Sequence, residues 1–564
     1  MIEIKQWPAS VTGFYEKIDK QDIYRLPYSG IFKDVVSMKD RDVPFLVYIP
    51  EGAHHTGPGI LLIPDQGDTM EHCLLSGGWK ELADRNEIVL FVAMPGQGME
   101  YHLKLTRKIH ERVFYNVNKT FCYLVGYGSG GVEAQKLAMS APQQWSGVVS
   151  FGMFEVEAGF REAAGSKPSD VPFILQCQVP MPVWVWTDQM NREREETLAY
   201  WKSANRTEAA GCVKDCTTRF LPVNTGVDSL IESQAGAEVR LTMLPDADYY
   251  GNRIAGTVWE EFLSKTLRAT GIINGDLRPW RNLEQWGADF KTMEVDGYRR
   301  EWYEYMPTAA KRSPGTKIPL VVCFHGGGNL GWVSMNRTEW IKVAEARNFA
   351  VVFPSGSMRR LEQKCAIPHP AWNACGAGDI MDDVKFVKLL MEDIMARCPI
   401  DRSRIYANGH SMGACMCQRV ALVLPEYFAA CAATGGVLRG GFFGSYEGPE
   451  IVEDYRMPLW IVMGENDRGG GTYEKNPAAR QNILYWIGRN KTQPIDAPAE
   501  YVDGIYHHKV YTDNGGVPMV RFTTVDYKPH ACTPQDSWFF YDEMFSKFRR
   551  DESGNVVYME RAKS

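Results

Sequence analysis

The sequence predicts two tandem α/β domains, each a mostly parallel sheet flanked by helices. Three observations carry this expectation. The chain has 564 residues, several times the usual domain size. Its two halves repeat one order of elements. Each half also alternates helix-like segments with short, continuous apolar runs, the pattern of parallel strands covered on both faces.

In the first half, Phe32-Lys33 opens a hairpin-like stretch that runs to Val47-Tyr48-Ile49-Pro50, and the apolar strand Ile60 to Asp65 follows. In the second, Phe290-Lys291 opens a matching stretch to Tyr303-Glu304-Tyr305-Met306-Pro307, followed by Ile318 to His325. Further β-rich runs fall at Ile88 to Ala93 and Phe121 to Val125, then at Ala350 to Phe353 and Arg404 to Ala407. Trp259 to Leu267 reads as a closing amphipathic helix, and the Gly- and Pro-containing stretch Thr270 to Arg281 as a linker. The expected domains are therefore 1–270 and 271–564.

Composition narrows the function. With 45% hydrophobic and 23% charged residues, this is a folded chain without low-complexity tracts. A net charge of -7 and the lack of any Lys/Arg stripe argue against nucleic acid as a partner. No apolar run is long enough to span a bilayer, so no membrane partner is expected. Met1 to Pro8 lacks a basic segment followed by an apolar one, which suggests a cytoplasmic protein; a chain numbered after processing would instead be extracellular or periplasmic. The 13 cysteines are scattered as in a reduced protein, with Cys212/Cys216 and Cys365/Cys375 close enough to leave a disulfide open. No pair has zinc-site spacing beside a second pair, so no metal is expected, and the chemistry below requires no cofactor.

That chemistry centres on Gly409-His410-Ser411-Met412-Gly413, which follows the short β-type run Ile405-Tyr406-Ala407 and precedes the helical spacing of Ala414 to Leu424. Between a strand and a helix, Gly-x-Ser-x-Gly makes a tight, strained turn that presents the serine hydroxyl at the sheet edge. A serine hydroxyl needs a base, and the base an orienting carboxylate, in the chain order Ser, acid, His. The strand-like Pro458 to Met463 leads into Gly464-Glu465-Asn466-Asp467, which offers Asp467 as the acid with Glu465 as its rival. His507, His508 and His530 follow. Of these His530 is expected to be the base, because it stands between the strand-like Val520 to Val525 and the helix-like Ser537 to Phe548. His325-Gly326-Gly327-Gly328 directly follows the first central strand, so Gly327, Gly328 and the amide of Met412 are candidate oxyanion donors.

These residues resemble the feruloyl-esterase and polyhydroxybutyrate-depolymerase-like branch of the α/β-hydrolases. The resemblance lies in Phe324 to Asn329, Trp372-Asn373-Ala374-Cys375-Gly376, Asp382 to Val387, and Pro399 to Asn408 leading into the elbow. The match spans roughly residues 315 to 550 and implies Ser411, Asp467 and His530 as the triad of an α/β-hydrolase domain there; the repeated order of elements extends the α/β-hydrolase-like expectation to the first domain. The resemblance also implies a serine carboxylic-ester hydrolase acting on esters of aromatic or hydroxy acids, hydroxycinnamoyl or small polyester-like. The partner would then be a small-molecule or oligosaccharide ester, and a homo-oligomer stays open. Trp332, His369, His410, Trp372 and Asn373 are candidates to line an aryl cleft. A serine peptidase or acyltransferase of the same fold, and a non-catalytic binding protein, are the alternatives.

The first half lacks the same set. In Gly126-Tyr127-Gly128-Ser129-Gly130 the nucleophile slot is Gly128, and Ser129 is displaced by one. His54, His55, His72, His102 and His110 all precede this elbow, and no histidine occurs between residues 111 and 324. Asp188 stands where a relic of the acid would be. A degenerate, non-catalytic domain is expected.

Overall fold

The computed structural model describes residues 2–10, 12–169, 174–223, 236–245, 248–251, 253–269, 275–374, 380–440, 446, 448, 450–453 and 455–560. They fold into two compact units. The first comprises Met1–Lys17, Arg25–Trp280 and Lys364–Ile367; the second comprises Ile18–Tyr24, Arg281–Gln363 and Pro368–Ser564.

The sheet of the second unit runs Asp289–Val295, Tyr298–Tyr305, Ala350–Pro354, Ile318–Phe324, Ile400–His410, Ala430–Thr434, Leu459–Gly464, Pro518–Val525, Tyr506–Thr512, Ala499–Asp503. The six strands from Ala350–Pro354 to Pro518–Val525 are mutually parallel. An antiparallel hairpin extends the sheet at each edge. Ile318–Phe324 and Leu459–Gly464 are buried along their whole length, which is why they read as unbroken apolar runs. Ala499–Asp503 is an edge strand and exposed throughout. This is the α/β-hydrolase architecture.

The sheet of the first unit runs Ile4–Gln6, Gly30–Ser37, Asp42–Ile49, Val89–Val92, Gly59–Ile63, Cys122–Tyr127, Val148–Phe151, Val183–Thr187, Val239–Met243, Thr217–Phe220, Cys212–Lys214. Once Ile4–Gln6 is set aside, it matches the second sheet strand for strand, crossovers included.

The repeat extends into the buried polar contacts. Trp201 Nε1 donates to Gln135 Oε1 in one unit, and Trp486 Nε1 donates to Gln418 Oε1 in the other. Asn205 exchanges two hydrogen bonds with the backbone of Met181, as Asn490 does with Met457. Trp184 donates to Thr242 beneath Arg240, and Trp460 donates to Thr523 beneath Arg521. A buried polar group stays only where its partners stay with it, so these pairs record one core used twice.

Two expectations about the join are corrected. Trp259 to Leu267 is not one helix: Ile254–Glu261 is helical, Leu263–Lys265 is a 3-10 turn, and Thr266–Ala269 is a strand. Phe262, at φ -136° and ψ -68°, breaks the helix, and turn and strand together bury Phe262, Leu263 and Leu267. The expected linker is in part a strand as well. Asp276–Pro279 pairs antiparallel with Thr266–Ala269, which places the boundary after Trp280 rather than near 270; residues 270–274 lie outside the described set. In this hairpin the buried Arg268 donates to the carbonyls of Trp145, Gly275 and Pro180. The second unit ends alike: Phe548–Arg550 pairs with Val556–Tyr558, and Arg550 donates to the carbonyls of Phe428, Gly554 and Arg456.

A single boundary also fails to describe two short segments, because 18–24 belongs to the second unit and 364–367 to the first. Tyr24 of the second unit donates its hydroxyl to the carbonyls of Ser355 and Gly356, while Ala366 of the first donates its amide to Val113. Cys212 and Cys216 are exposed free thiols. Cys375, like Gly376, lies outside the described residues.

Candidate active site

Strand Ile400–His410 and helix Met412–Val423 meet at Ser411, whose φ of 55° and ψ of -118° form a strained turn. The two glycines of the motif have steric causes. A Cβ on Gly409 would stand 2.1 Å from the Gly413 carbonyl oxygen, and one on Gly413 would stand 2.1 Å from that of Phe324. All twelve positions of the helix are buried, so the turn has a fixed base.

His530 Nε2 lies 2.8 Å from Ser411 Oγ, and His530 Nδ1 lies 2.6 Å from Asp467 Oδ1. The Asp467 side chain is 1% exposed, and it also accepts the Arg468 amide. Acid and base loops are tied together: Glu465 N donates to Val525 O, and Asn466 N donates to Lys528 O. Gly435, at φ 63°, lies against this pair, and a Cβ there would come within 3.1 Å of Asp467 Oδ2. The order Ser, acid, His thus becomes one hydrogen-bonded chain.

The rivals are elsewhere. Glu465 is exposed and accepts the Tyr527 amide. His507 points to Asp526, while His508, on the other face of the same strand, is buried against Thr523.

The loop after Ile318–Phe324 brings the Gly326 backbone against Ser411; a Cβ on Gly326 would be 3.5 Å from that of the serine. Gly327 packs beside Met412, whose amide opens the helix. Gly328 is corrected as a donor: its N–H is given to the Pro370 carbonyl at 2.7 Å. Buried His325, missed in the sequence, braces this loop. Its Nε2 accepts the Gly356 amide, so Nδ1 carries the proton given to the Gly326 carbonyl.

The aryl-cleft candidates divide. Trp372 is fully buried, its indole donating to the His325 carbonyl and meeting Phe324 edge-on, and His369 is fully buried too. Neither offers surface to a ligand. A strand end next to a glycine-rich loop looks alike whether it faces the core or a cleft. Trp332 packs partly buried against Leu330, Met358 and Met381, and Asn373 is held by Asp383 and Arg419. His410 lies against the His530 ring, with centroids 5.1 Å apart. Burial, then the neighbouring His530, Arg337, Lys528 and Arg468, hold its pKa well below the usual histidine range, so it stays neutral.

Asp383 stands out in the sequence only as part of a motif. It is the buried hub of the loops around the site, accepting from Arg300, from the amide and hydroxyl of Ser357, and from the Asn373 amide at 2.6 to 3.1 Å. Asp382 beside it caps helix Asp383–Arg397. Asp383→Ala leaves Arg300 buried and unpaired, and is expected to cost about 3–5 kcal/mol in urea denaturation of the full chain; a loss below about 1 kcal/mol contradicts this role.

Acid should weaken the fold. Burial pushes both His325 and His508 down to about 4 from an ordinary value near 6.5. Between those values the unfolded chain binds protons that the folded chain excludes, so stability falls as pH falls from about 6.5 toward 4. Urea midpoints measured across this window test it, and a flat profile counts against it.

In the first unit, Gly128 adopts φ 50° and ψ -126°, the turn of Ser411 without a side chain. Its flanking glycines are equally obligatory: a Cβ on Gly126 would be 2.2 Å from the Gly130 carbonyl oxygen, and one on Gly130 2.2 Å from that of Ile63. The next amide, that of Ser129, donates to Asp65 Oδ1 at 2.9 Å, and the Ser129 hydroxyl does so at 2.8 Å. A Cβ on Gly128 would stand 2.4 Å from the same oxygen. Asp188 follows its strand directly, as Glu465 does, and faces Arg194. Asp246 and Ala247, in the segment where a base would be sought, lie outside the described residues.

Residues 302–450 match the family model Esterase PHB depolymerase. The PHB-depolymerase segment includes Ser411 and ends before Asp467 and His530. Among curated proteins, the chain is 26% identical over 250 residues to poly(3-hydroxyalkanoate) depolymerase C of Paucimonas lemoignei, covering 39% of this chain and 56% of that one. It is 29% identical over 143 residues to feruloyl esterase B of Neurospora crassa, covering 25% of this chain and 46% of that one. The chain thus spans about half the length of these relatives. Among solved structures, an acetyl xylan esterase from Aspergillus awamori aligns with 46% of this chain and 99% of its own, at 15% identity and a TM-score of 0.35. Among the described residues, no helix is long and apolar enough to cross a membrane.

Proposed function

We propose that the chain hydrolyses carboxylic esters through an acyl-enzyme on Ser411. The observation that carries this reading is the unbroken chain from Ser411 Oγ through His530 to Asp467, at 2.8 and 2.6 Å. His530 takes the serine proton as Oγ attacks the ester carbonyl and returns it to the leaving alcohol. Asp467 holds the imidazole with Nδ1–H toward it. The amides of Met412 and Gly327 stabilise the oxyanion, and water then releases the acid by the reverse proton path.

The substrates are aromatic or hydroxycinnamoyl-type esters, or small hydroxyalkanoate esters. The relatives' names, a depolymerase of poly(3-hydroxyalkanoate) and a feruloyl esterase, support that class. Assays with methyl ferulate, a hydroxybutyrate dimer ester, an alkyl acetate and a peptide anilide test it. Aryl or hydroxyalkanoate esters should lead; faster cleavage of the anilide, or none of the esters cleaved, overturns it.

The first unit, on this reading, performs no ester hydrolysis. Its elbow holds glycine at the nucleophile position, and Asp65 accepts the amide that would face an oxyanion. Ser129→Ala should leave kcat within about twofold of the parent in the same ester assay; a large loss with the fold intact counts against a silent domain.

A further inference from the structure

We propose that Tyr24, which precedes Ser355 by 331 residues in the chain, is a positioning residue for the oxyanion loop of the second unit. The inference rests on the reading of Ser411 as nucleophile. It assigns part of that site's geometry to Ile18–Tyr24, the short segment that joins this unit from near the start of the chain.

The loop from His325 to Leu330 carries Gly327 and leads from strand Ile318–Phe324 into helix Gly331–Arg337. Three consecutive glycines give it little stiffness of its own, so its position is set by what it leans on. Both ends lean on Ser355–Gly356, directly after strand Ala350–Pro354. The Gly356 amide donates to His325 Nε2 at 2.8 Å, and the Gly331 amide donates to Ser355 Oγ at 3.0 Å. His325 in turn donates from Nδ1 to the carbonyl of Gly326, which stands against Ser411. One side of Gly356 is closed, since a Cβ there would be 2.3 Å from the Ala371 carbonyl oxygen.

Tyr24 holds the two residues through their carbonyls. Its hydroxyl donates to Gly356 O at 2.6 Å and to Ser355 O at 2.9 Å. Burial pushes its pKa well up, so the hydroxyl keeps its proton and acts as the donor. The ring is 3% exposed and packs with Ile23 in a cluster that includes Leu330, the last residue of the loop, and Met358. The Lys20 carbonyl accepts the Arg299 amide at 2.9 Å, which ties the segment to strand Tyr298–Tyr305. Arg300 also donates to the Ser355 carbonyl, so loss of the Tyr24 hydroxyl is felt chiefly at Gly356 and, through its amide, at His325. An oxyanion donor is effective only when already aimed, at about 3 Å, where charge develops. A small displacement of Gly327 therefore weakens the transition state and leaves ground-state binding of the ester nearly intact.

Tyr24→Phe in the full chain keeps the ring and removes only the hydroxyl. Its kinetics, on the ester that the parent turns over fastest, are compared with inhibition by phenylboronic acid. The boronic acid adds to Ser411 Oγ, the serine proton passing to His530, and gives a tetrahedral anion with an oxygen toward the oxyanion donors. Fluorophosphonate titration sets the concentration of folded enzyme, so partial unfolding does not enter the rates. kcat should fall about tenfold or more with KM within about twofold of the parent, and the boronate inhibition constant should rise in the proportion by which kcat/KM falls. A lost packing contact alone would lower the folded fraction and leave the constants of the titrated enzyme unchanged. kcat within about twofold of the parent, or a rise in KM alone with boronate affinity kept, overturns the inference while the parent's turnover upholds Ser411. A parent that neither cleaves esters nor binds the boronate overturns the reading at Ser411 and this inference with it.

Discussion

Ser411→Ala lowers kcat on a carboxylic ester by about 10⁶-fold, the loss that follows removal of a triad serine. The magnitude follows from the covalent step. Without Oγ there is no acyl-enzyme, and the oxyanion donors and His530 can only assist direct attack by water. The substitution removes one oxygen at a helix N-terminus and leaves the surrounding packing in place. Circular dichroism and the urea midpoint should therefore match the parent, and KM should change little. Activity within about tenfold of the parent contradicts the assignment of Ser411 as nucleophile.

Asp467→Asn lowers kcat by about 10⁴-fold with KM near the parent value. The carboxylate accepts Nδ1–H of His530 and so leaves Nε2 unprotonated toward Ser411. A carboxamide can present its NH₂ to Nδ1, which moves the ring proton to Nε2 and sets donor against donor at the serine. Water cannot compensate, because the Asp467 side chain is 1% exposed. Glu465→Gln is the matched control. That side chain is exposed and receives the Tyr527 amide away from His530, so its loss should change kcat within about threefold. Equal effects of the two substitutions would mean that the acid is wrongly assigned.

Much of this site is written locally. Gly409 and Gly413 are compelled by carbonyl oxygens that come within 2.1 Å of a Cβ, and so the elbow is visible as a five-residue pattern. Asp467 and His530 each follow a buried strand whose apolar run marks its end, so their order along the chain foretold their meeting. The repeated strand order was visible for the same reason. Each strand of the second unit's main sheet has a counterpart in the first, whereas the small hairpin of Ser357–Arg359 and His369–Ala371 has none.

What was hidden depends on contacts distant in sequence. Nothing near Trp372 or His369 tells whether they face core or cleft; the carbonyl of His325, 47 residues from Trp372, decides the first. Gly328 seemed as good a donor as Gly327 until the carbonyl of Pro370 met its amide. The hairpins that close each unit have short strands with mixed polarity. They are fixed by Arg268 and Arg550, each of which donates to one carbonyl in its own hairpin and to two that are distant in sequence. The exchange of 18–24 and 364–367 between the halves has no local signature at all.

The central claim is that Ser411 is a nucleophile activated by His530. Labelling of the full chain with a fluorophosphonate, followed by peptide mass spectrometry, tests it most directly. One adduct should form on the peptide that contains Ser411, none on Ser129, and labelling should be lost in Ser411→Ala and strongly slowed in His530→Ala. An unlabelled Ser411 in the folded chain, or an adduct on another serine that persists in Ser411→Ala, would contradict the account.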